Sequence, residues 1–196
     1  MNDRITEAEL DPLFVERWSP RAFSAQQPTE AQVASLFEAA RWAPSASNFQ
    51  PALFLYARRA PDLARFQSLL VAGNAWAKKA PLLAYVFARR HFSNGKENAT
   101  ADFDTGAAWM SLSLRAHQLG LFTHGMAGFD HDGAYEVLGV NPEEYRVIAA
   151  IAVGFLGDPS SLTPELAARE VVKSQRKPLA EVAQEGVFRV TAAAAR

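Results

Sequence analysis

The sequence has no cysteine in 196 residues. That excludes disulfides, thiolate metal sites and a thiol nucleophile, and it is compatible with a reducing compartment. It has no excess of charge either: 20 basic side chains stand against 21 acidic ones. No basic field is therefore available to hold nucleic acid or an anionic membrane surface. The longest apolar runs, residues 80–88 and 147–156, fall well short of the roughly 18 residues that span a bilayer. They read as buried strands. Residues 1–11 are polar and acidic with no apolar h-region, so no secretory signal is expected and a soluble cytoplasmic protein is the default.

The usual catalytic signatures are missing as well. There is no Gly-x-Ser-x-Gly elbow, no phosphate loop ending in Gly-Lys-Ser/Thr, no Gly-x-Gly-x-x-Gly after a strand and no His-Glu-x-x-His. His124, Asp130, His131 and Asp132 can be drawn as a metal cluster, but their spacing matches no standard site. His117 falls within an apolar helix and reads as a satisfied structural histidine. No acid–base pair or triad emerges. A protein with a ligand cradle and no catalytic side chains often leaves the chemistry to a cofactor.

The most informative stretch that is present is Trp42-Ala43-Pro44-Ser45-Ala46-Ser47-Asn48-Phe49-Gln50-Pro51. Two prolines fence it, and each excludes helical continuation by its missing N–H, its fixed φ and the restriction on its preceding residue. Between them lie Ser45, Ser47, Asn48 and Gln50, short hydrogen-bonding side chains on backbone that cannot join a ladder. The segment is either a polar loop or a ligand cradle, and alone it does not decide.

The surrounding chain gives helix and strand signals in alternation. Residues 7–15 form a short first helix with Leu10, Leu13 and Phe14. Arg17-Trp18-Ser19-Pro20-Arg21 follows, kept out of a long helix by Pro20; its arginines are either phosphate ligands or plain surface residues. Thr29 and Gln32 make a capping box for a helix that must stop before Pro44. Residues 53–57 are a strand, Asp62 caps a helix through residue 71, and Gly73-Asn74 breaks it. Residues 82–88 read as a strand buried on both faces, and residues 89–100 as a loop with an Asn94-Gly95 turn. Residues 102–119 are the longest helix candidate, capped by Asp102 or Asp104, ended by Gly120, and apolar nearly all round. Such a helix is a central core element or a subunit interface. His124-Gly125-Met126-Ala127-Gly128 carries two glycines that suggest close backbone approach. A helix over 133–138 and a strand over 147–156 follow. After Pro164 the chain turns polar and irregular through Arg176-Lys177-Pro178, with a short helical piece beyond, a short strand possible over 187–190 and a fraying tail over 191–196. There is no internal repeat and no linker, so residues 1–196 make one domain.

Flavin mononucleotide would use these groups together. Its phosphate suits Arg17, Arg21 and Arg176. Its pyrimidine edge alternates donor and acceptor, as do the side-chain amides of Asn48, Gln50 and Asn74. A backbone N–H at Ala127-Gly128 can reach the reactive ring nitrogen.

These motifs, in this order, resemble the nitroreductase family of FMN-dependent oxidoreductases. The likeness runs from about residue 15 to 182, through Arg17–Phe23, Glu38–Pro51, Asn74, the 104–120 helix, Gly125–Asp130 and Arg176-Lys177-Pro178-Leu179. It implies an α+β fold, with a mixed, mainly antiparallel sheet flanked by helices, in an intertwined homodimer. An arm from about residue 159 would reach the partner subunit. Arg17, Trp18, Ser19 and Arg21 would meet phosphate and ribityl, with Arg176 on the phosphate or the N1 side. Pro44, Ser45, Ser47, Asn48 and Gln50 would come from the other subunit, Asn74 would pair with the pyrimidine edge, and Ala127 and Gly128 would lie near N5. The implied reaction is ping-pong: hydride from NAD(P)H to the flavin, then reduction of an electron-poor acceptor such as a nitroaromatic or a quinone. Trp18, Ser174 and Ala127 depart from common family patterns, which shifts the phosphate site toward Arg17, Arg21 and Arg176. Alternatives are a flavin-binding or flavin-processing protein of the same fold without NAD(P)H turnover, and a flavin-free module that dimerises through the long helix.

Overall fold

A computed structural model of the chain describes residues 4–190. Helix α1 (Pro12–Glu16) starts later than the 7–15 helix expected from sequence. Pro12 suits a first helical position, where its missing N–H costs nothing, and Asp11 caps it by accepting from Leu13 N–H at 2.8 Å. Helix α2 (Glu30–Arg41) opens on the expected capping box, with Thr29 Oγ1 accepting from Gln32 N–H and Gln32 Oε1 accepting from Thr29 N–H. Strand β1 (Ala52–Ala57) leads to α3 (Asp62–Ser68), which ends three residues before the expected 71 and takes Pro61, not Asp62, as its cap. Short helical turns over Ala72–Lys79 lead into β2 (Leu82–Arg89).

Helix α4 (Ala101–Gln118) closes through Gly120 at φ 72°, as its sequence requires. Neither Asp102 nor Asp104 caps it: Thr100 holds that position, and the Asp104 carboxylate instead accepts from Ala46 N–H at 3.1 Å. Strand β3 (Phe122–Met126), helix α5 (His131–Leu138) and strand β4 (Tyr145–Gly154) complete the body. Beyond them lies α6 (Pro164–Val171), in a region expected to be irregular, with Thr163 at its cap and Pro164 in its first turn. Helix α7 (Leu179–Val182) is the short helical piece. Residues 187–190 are not a strand, because nothing among the described residues pairs with them. The expected tail over 191–196 lies outside the described residues.

The four strands form one sheet in the order β1-β2-β4-β3. Every pairing within it is antiparallel, so the mixed sheet implied by the family resemblance is not found among the described residues. β2 is buried over seven of its eight residues. Its alternate side chains feed two cores. Leu82, Ala84 and Val86 meet Val33, Leu36 and Ala40 of α2 and Ala108, Leu112 and Ala116 of α4. Leu83, Tyr85 and Phe87 meet Phe66, Trp76, Ala77 and Phe129 on the other face. A register shift opposite Val86–Phe87 brings Val147 to the same face as Ala150 and Ala152, which strict alternation would not allow.

Two features of this architecture bear on function. β3 is an edge strand, so one side of its backbone is open. And α4 has more apolar surface than this chain buries: Phe103 is 81 % exposed and Met110 is 37 % exposed. No helix among the described residues is long and apolar enough to cross a membrane.

Candidate functional site

The segment between α1 and α2 is pinned at three points. Phe23 bridges to Leu156, with Ser24 N–H donating to the Phe155 carbonyl and Gly157 N–H donating to the Ala22 carbonyl. The His124 ring sets Nδ1 2.9 Å from the Pro20 carbonyl. The Arg4 guanidinium donates to the carbonyls of Val15 (2.6 Å) and Arg17 (2.8 Å). Held this way, Arg17, Trp18, Ser19 and Arg21 line one wall of a cleft of about 230 Å³. Arg4, Arg169, Lys173, Ser174 and Arg176 line the other side, and His124 lies between.

Six cations therefore converge on the cleft. Arg169 pairs with Glu165 at 2.6 Å, and Arg21 reaches Glu170 at 3.4 Å. The half-buried Arg17 guanidinium has no hydrogen-bond or ion-pair partner among the described residues. Burial first, and then the charges of Arg4 and Arg176, push its pKa down. Lys173 lies over the Trp18 ring, 2.9 Å from its centroid, and its pKa is lowered chiefly by burial. Cations held against one another and partly out of water are unfavourable unless an anion joins them. His124 is also pushed down, by burial above all, so its ring favours the neutral form.

The open edge of β3 runs from this cleft toward a second cluster. His124 touches the Trp76 ring at 4.6 Å. Two residues beyond the end of β3, Gly128 faces Asn74. Asn74 Nδ2 donates to the Gly128 carbonyl at 2.8 Å. A Cβ at Gly128 would lie 2.7 Å from that nitrogen and 3.2 Å from Val71, so any other residue would force the Asn74 side chain to shift. Ala127 is exposed, and its carbonyl lies 3.0 Å from His131 Nε2.

The Pro44–Gln50 segment lies elsewhere. Ser47, Asn48 and Gln50 all have left-handed φ, at 52°, 55° and 55°, a conformation costly for non-glycine residues. Ser45 Oγ holds it by accepting from Gln50 N–H at 2.9 Å, and Gln50 Nε2 donates to the Asn48 carbonyl at 3.0 Å. Pro44, Ser45 and Gln50 line a separate groove of about 470 Å³ with Phe37, Phe54 and Tyr56, and that groove shares no residue with the cation cleft.

Of the residues singled out from sequence, Arg17, Trp18, Ser19, Arg21 and Arg176 are thus brought together, and Asn74 meets Ala127-Gly128. Pro44, Ser45, Ser47, Asn48 and Gln50 do not join them within one chain. Sequence reasoning missed Arg4, Lys173 and Arg169 in the cleft and Glu170 beneath it. Lys173 lines the cleft one position before Ser174; nothing local marks Arg4 or Glu170. One reading needs correction. His117 Nδ1 is buried with no hydrogen-bond partner among the described residues, so that histidine is not fully satisfied. Of the His124, Asp130, His131 and Asp132 grouping, whose spacing matches no standard metal site, Asp130 caps α5 through Gly133 N–H and both histidines face backbone carbonyls.

Comparison with known proteins gives a consistent result. The nitroreductase family model matches residues 14–72 and 59–155. A protein from Xanthomonas oryzae pv. oryzae, provisionally named NADH dehydrogenase/NAD(P)H nitroreductase, is 30 % identical over 190 residues, covering 84 % of this chain and 93 % of its own. A protein of the same name from Rhodopseudomonas palustris is 29 % identical over 153 residues, 67 % of this chain and 77 % of its own. A crystal structure described as an oxidoreductase containing FMN superposes with a TM-score of 0.93 at 45 % identity, over 97 % of this chain and 98 % of that one. A provisionally named nitroreductase from Desulfovibrio desulfuricans, solved with FMN, superposes at 0.70 with 26 % identity, over 91 % and 96 %.

Proposed function

The chain belongs to the nitroreductase family, and from that premise we propose that it is an FMN-dependent oxidoreductase that uses NAD(P)H to reduce electron-poor acceptors such as nitroaromatics or quinones, in the cytoplasm and as a homodimer. The observation that carries the reading is the Arg17 guanidinium, without an acceptor among the described residues and crowded by Arg4 and Arg176. A phosphate dianion relieves that repulsion and matches the planar guanidinium donors. When bound, FMN would supply the hydride chemistry between nicotinamide and acceptor.

The chain's own residues bind and orient. Arg17, Arg176 and Lys173, with the Ser19 hydroxyl, hold the phosphate, and Trp18 keeps Lys173 facing the cleft through its ring. Arg21 adds charge from a fixed position, because Glu170 holds it. Asn74 Oδ1 is left to accept from the pyrimidine N–H, since Nδ2 is already committed to the Gly128 carbonyl. Ala127 and Gly128 let the backbone come close to the ring, and the small side of Gly128 keeps that face flat.

Pro44, Ser45, Ser47, Asn48 and Gln50 complete the site from a second copy, which fits the left-handed backbone at Ser47, Asn48 and Gln50 and the separation of this segment's groove from the cleft in one chain. The exposed Phe103 and Met110 of α4 and the apolar arm from about residue 159, including Val182, Val187 and Phe188, then pack on the partner. The test is an absorbance spectrum of the purified protein followed by anaerobic titration with NADH and with NADPH. A yellow protein that bleaches and is recoloured by a quinone supports the reading. A colourless protein that takes up no FMN overturns it, and bound flavin with no response to either nicotinamide leaves a flavin carrier.

A further inference from the structure

Glu170 is a carboxylate with 4 % exposure next to a group of cations that would attract an anion. Its carboxylate oxygens meet one short segment, and Arg21 is the one cation of the group with which they make an ion pair among the described residues. Oε2 accepts from Arg21 N–H at 2.9 Å and lies 3.4 Å from Ala22 N, and Oε1 is 3.4 Å from Arg21 Nη1. Its backbone carbonyl accepts from Lys173 Nζ at 2.8 Å. One residue near the end of α6 therefore touches both sides of the cleft: the segment that bears Arg17 and Arg21, and the arm that bears Lys173 and Arg176.

We propose that Glu170 is a positioning residue for the anion cleft, capping the Arg21 and Ala22 amides so that the two groups of cations face a single phosphate. Its charge works against phosphate binding, and its hydrogen bonds work for it. The bonds prevail because they satisfy two backbone amides that have no other acceptor among the described residues and tether the Arg21 guanidinium. The reach of the side chain, rather than its charge, is what the cleft requires.

The proposal rests on the flavin reading for its natural ligand, and the experiment separates the two. FMN and riboflavin, which lacks the phosphate, are titrated into flavin-free preparations of the full chain and of Glu170→Ala, Glu170→Gln and Glu170→Asp. Glu170→Ala and Glu170→Asp, whose shorter side chains lose the amides, are expected to weaken FMN at least tenfold and riboflavin less than twofold. Glu170→Gln keeps an acceptor at the right reach and is expected to stay within threefold of the natural chain. Equal weakening of both flavins would make Glu170 a structural residue only and overturn the proposal. Tighter FMN binding by Glu170→Ala and Glu170→Gln would show charge repulsion alone, as would Asp behaving normally while Gln fails show a role for charge, and either overturns it. If Glu170→Ala does not fold, the Gln and Asp pair still decides. If the natural chain takes up no FMN, the flavin reading fails by itself, and calorimetry with inorganic phosphate takes over. Binding that is lost in Asp and kept in Gln upholds the proposal, and no binding, or equal binding in all variants, refutes it.

Discussion

Replacing Arg17 by alanine separates an anion ligand from an ordinary structural cation. The guanidinium has no acceptor among the described residues, and Arg4 and Arg176 act on it repulsively. Its removal should therefore not destabilise the flavin-free protein, and relief of repulsion should leave the melting temperature unchanged or slightly higher. The loss should appear on binding. A charge-assisted hydrogen bond to phosphate contributes about 1.5–3 kcal/mol, and at about 1.4 kcal/mol per decade that is roughly a 10- to 150-fold rise in Kd for FMN. Riboflavin should be within twofold of the natural protein, because it offers nothing to Arg17. Arg17→Lys should fall between, keeping the charge and losing the fork. The assay is flavin-fluorescence quenching with both ligands, paired with thermal melts of the same preparations. The reasoning fails if Arg17→Ala lowers the melting temperature by several degrees, or if it weakens FMN and riboflavin to the same extent.

At the ring end the pattern should invert. Gly128→Ala places a Cβ 2.7 Å from Asn74 Nδ2, so FMN and riboflavin titrations should show both flavins weakened together, with little change in melting. Gly157→Ala puts a Cβ 2.5 Å from the Phe23 carbonyl carbon, backbone that cannot step aside. Melting curves should show a loss of about 1–3 kcal/mol or more, against almost none for Gly73→Ala, where nothing lies within 4 Å. His124 carries a pH dependence. Burial depresses its folded pKa below the ordinary 6.5, so its stabilising share is complete above that value and declines as pH falls below it, by at most about 1.4 kcal/mol per pH unit. Melts between pH 7 and 5 should be flatter for His124→Gln than for the natural chain; parallel curves would refute this. Sedimentation should find the protein at about twice its 21.4 kDa chain mass, and Phe103→Glu with Met110→Glu should split it. A natural chain that sediments as a monomer removes the second-copy assignment of the Pro44–Gln50 segment.

The chain reports by itself whatever is settled within a few residues. The Thr29–Gln32 box, the αL stop at Gly120 and the buried run of β2 are all local: each depends on hydrogen bonds or burial that neighbouring residues already imply. Helix α6 had its own signal in Thr163 and Pro164, but the polar residues after it masked a helix of only eight residues. The 187–190 segment shows the opposite limit. A helix satisfies its own backbone, whereas a strand needs a partner that local sequence cannot name. Motif resemblance reached the family and the arginines of the cleft. Tertiary structure alone brought Arg4 and Lys173 to those arginines, set Glu170 under Arg21, and kept the Pro44–Gln50 segment away from them. Charges act through space, over distances that sequence separation does not measure: Arg21 and Glu170 are 149 positions apart and in contact. Composition and motif identified the kinds of group available, and the folded chain decided which of them share a site.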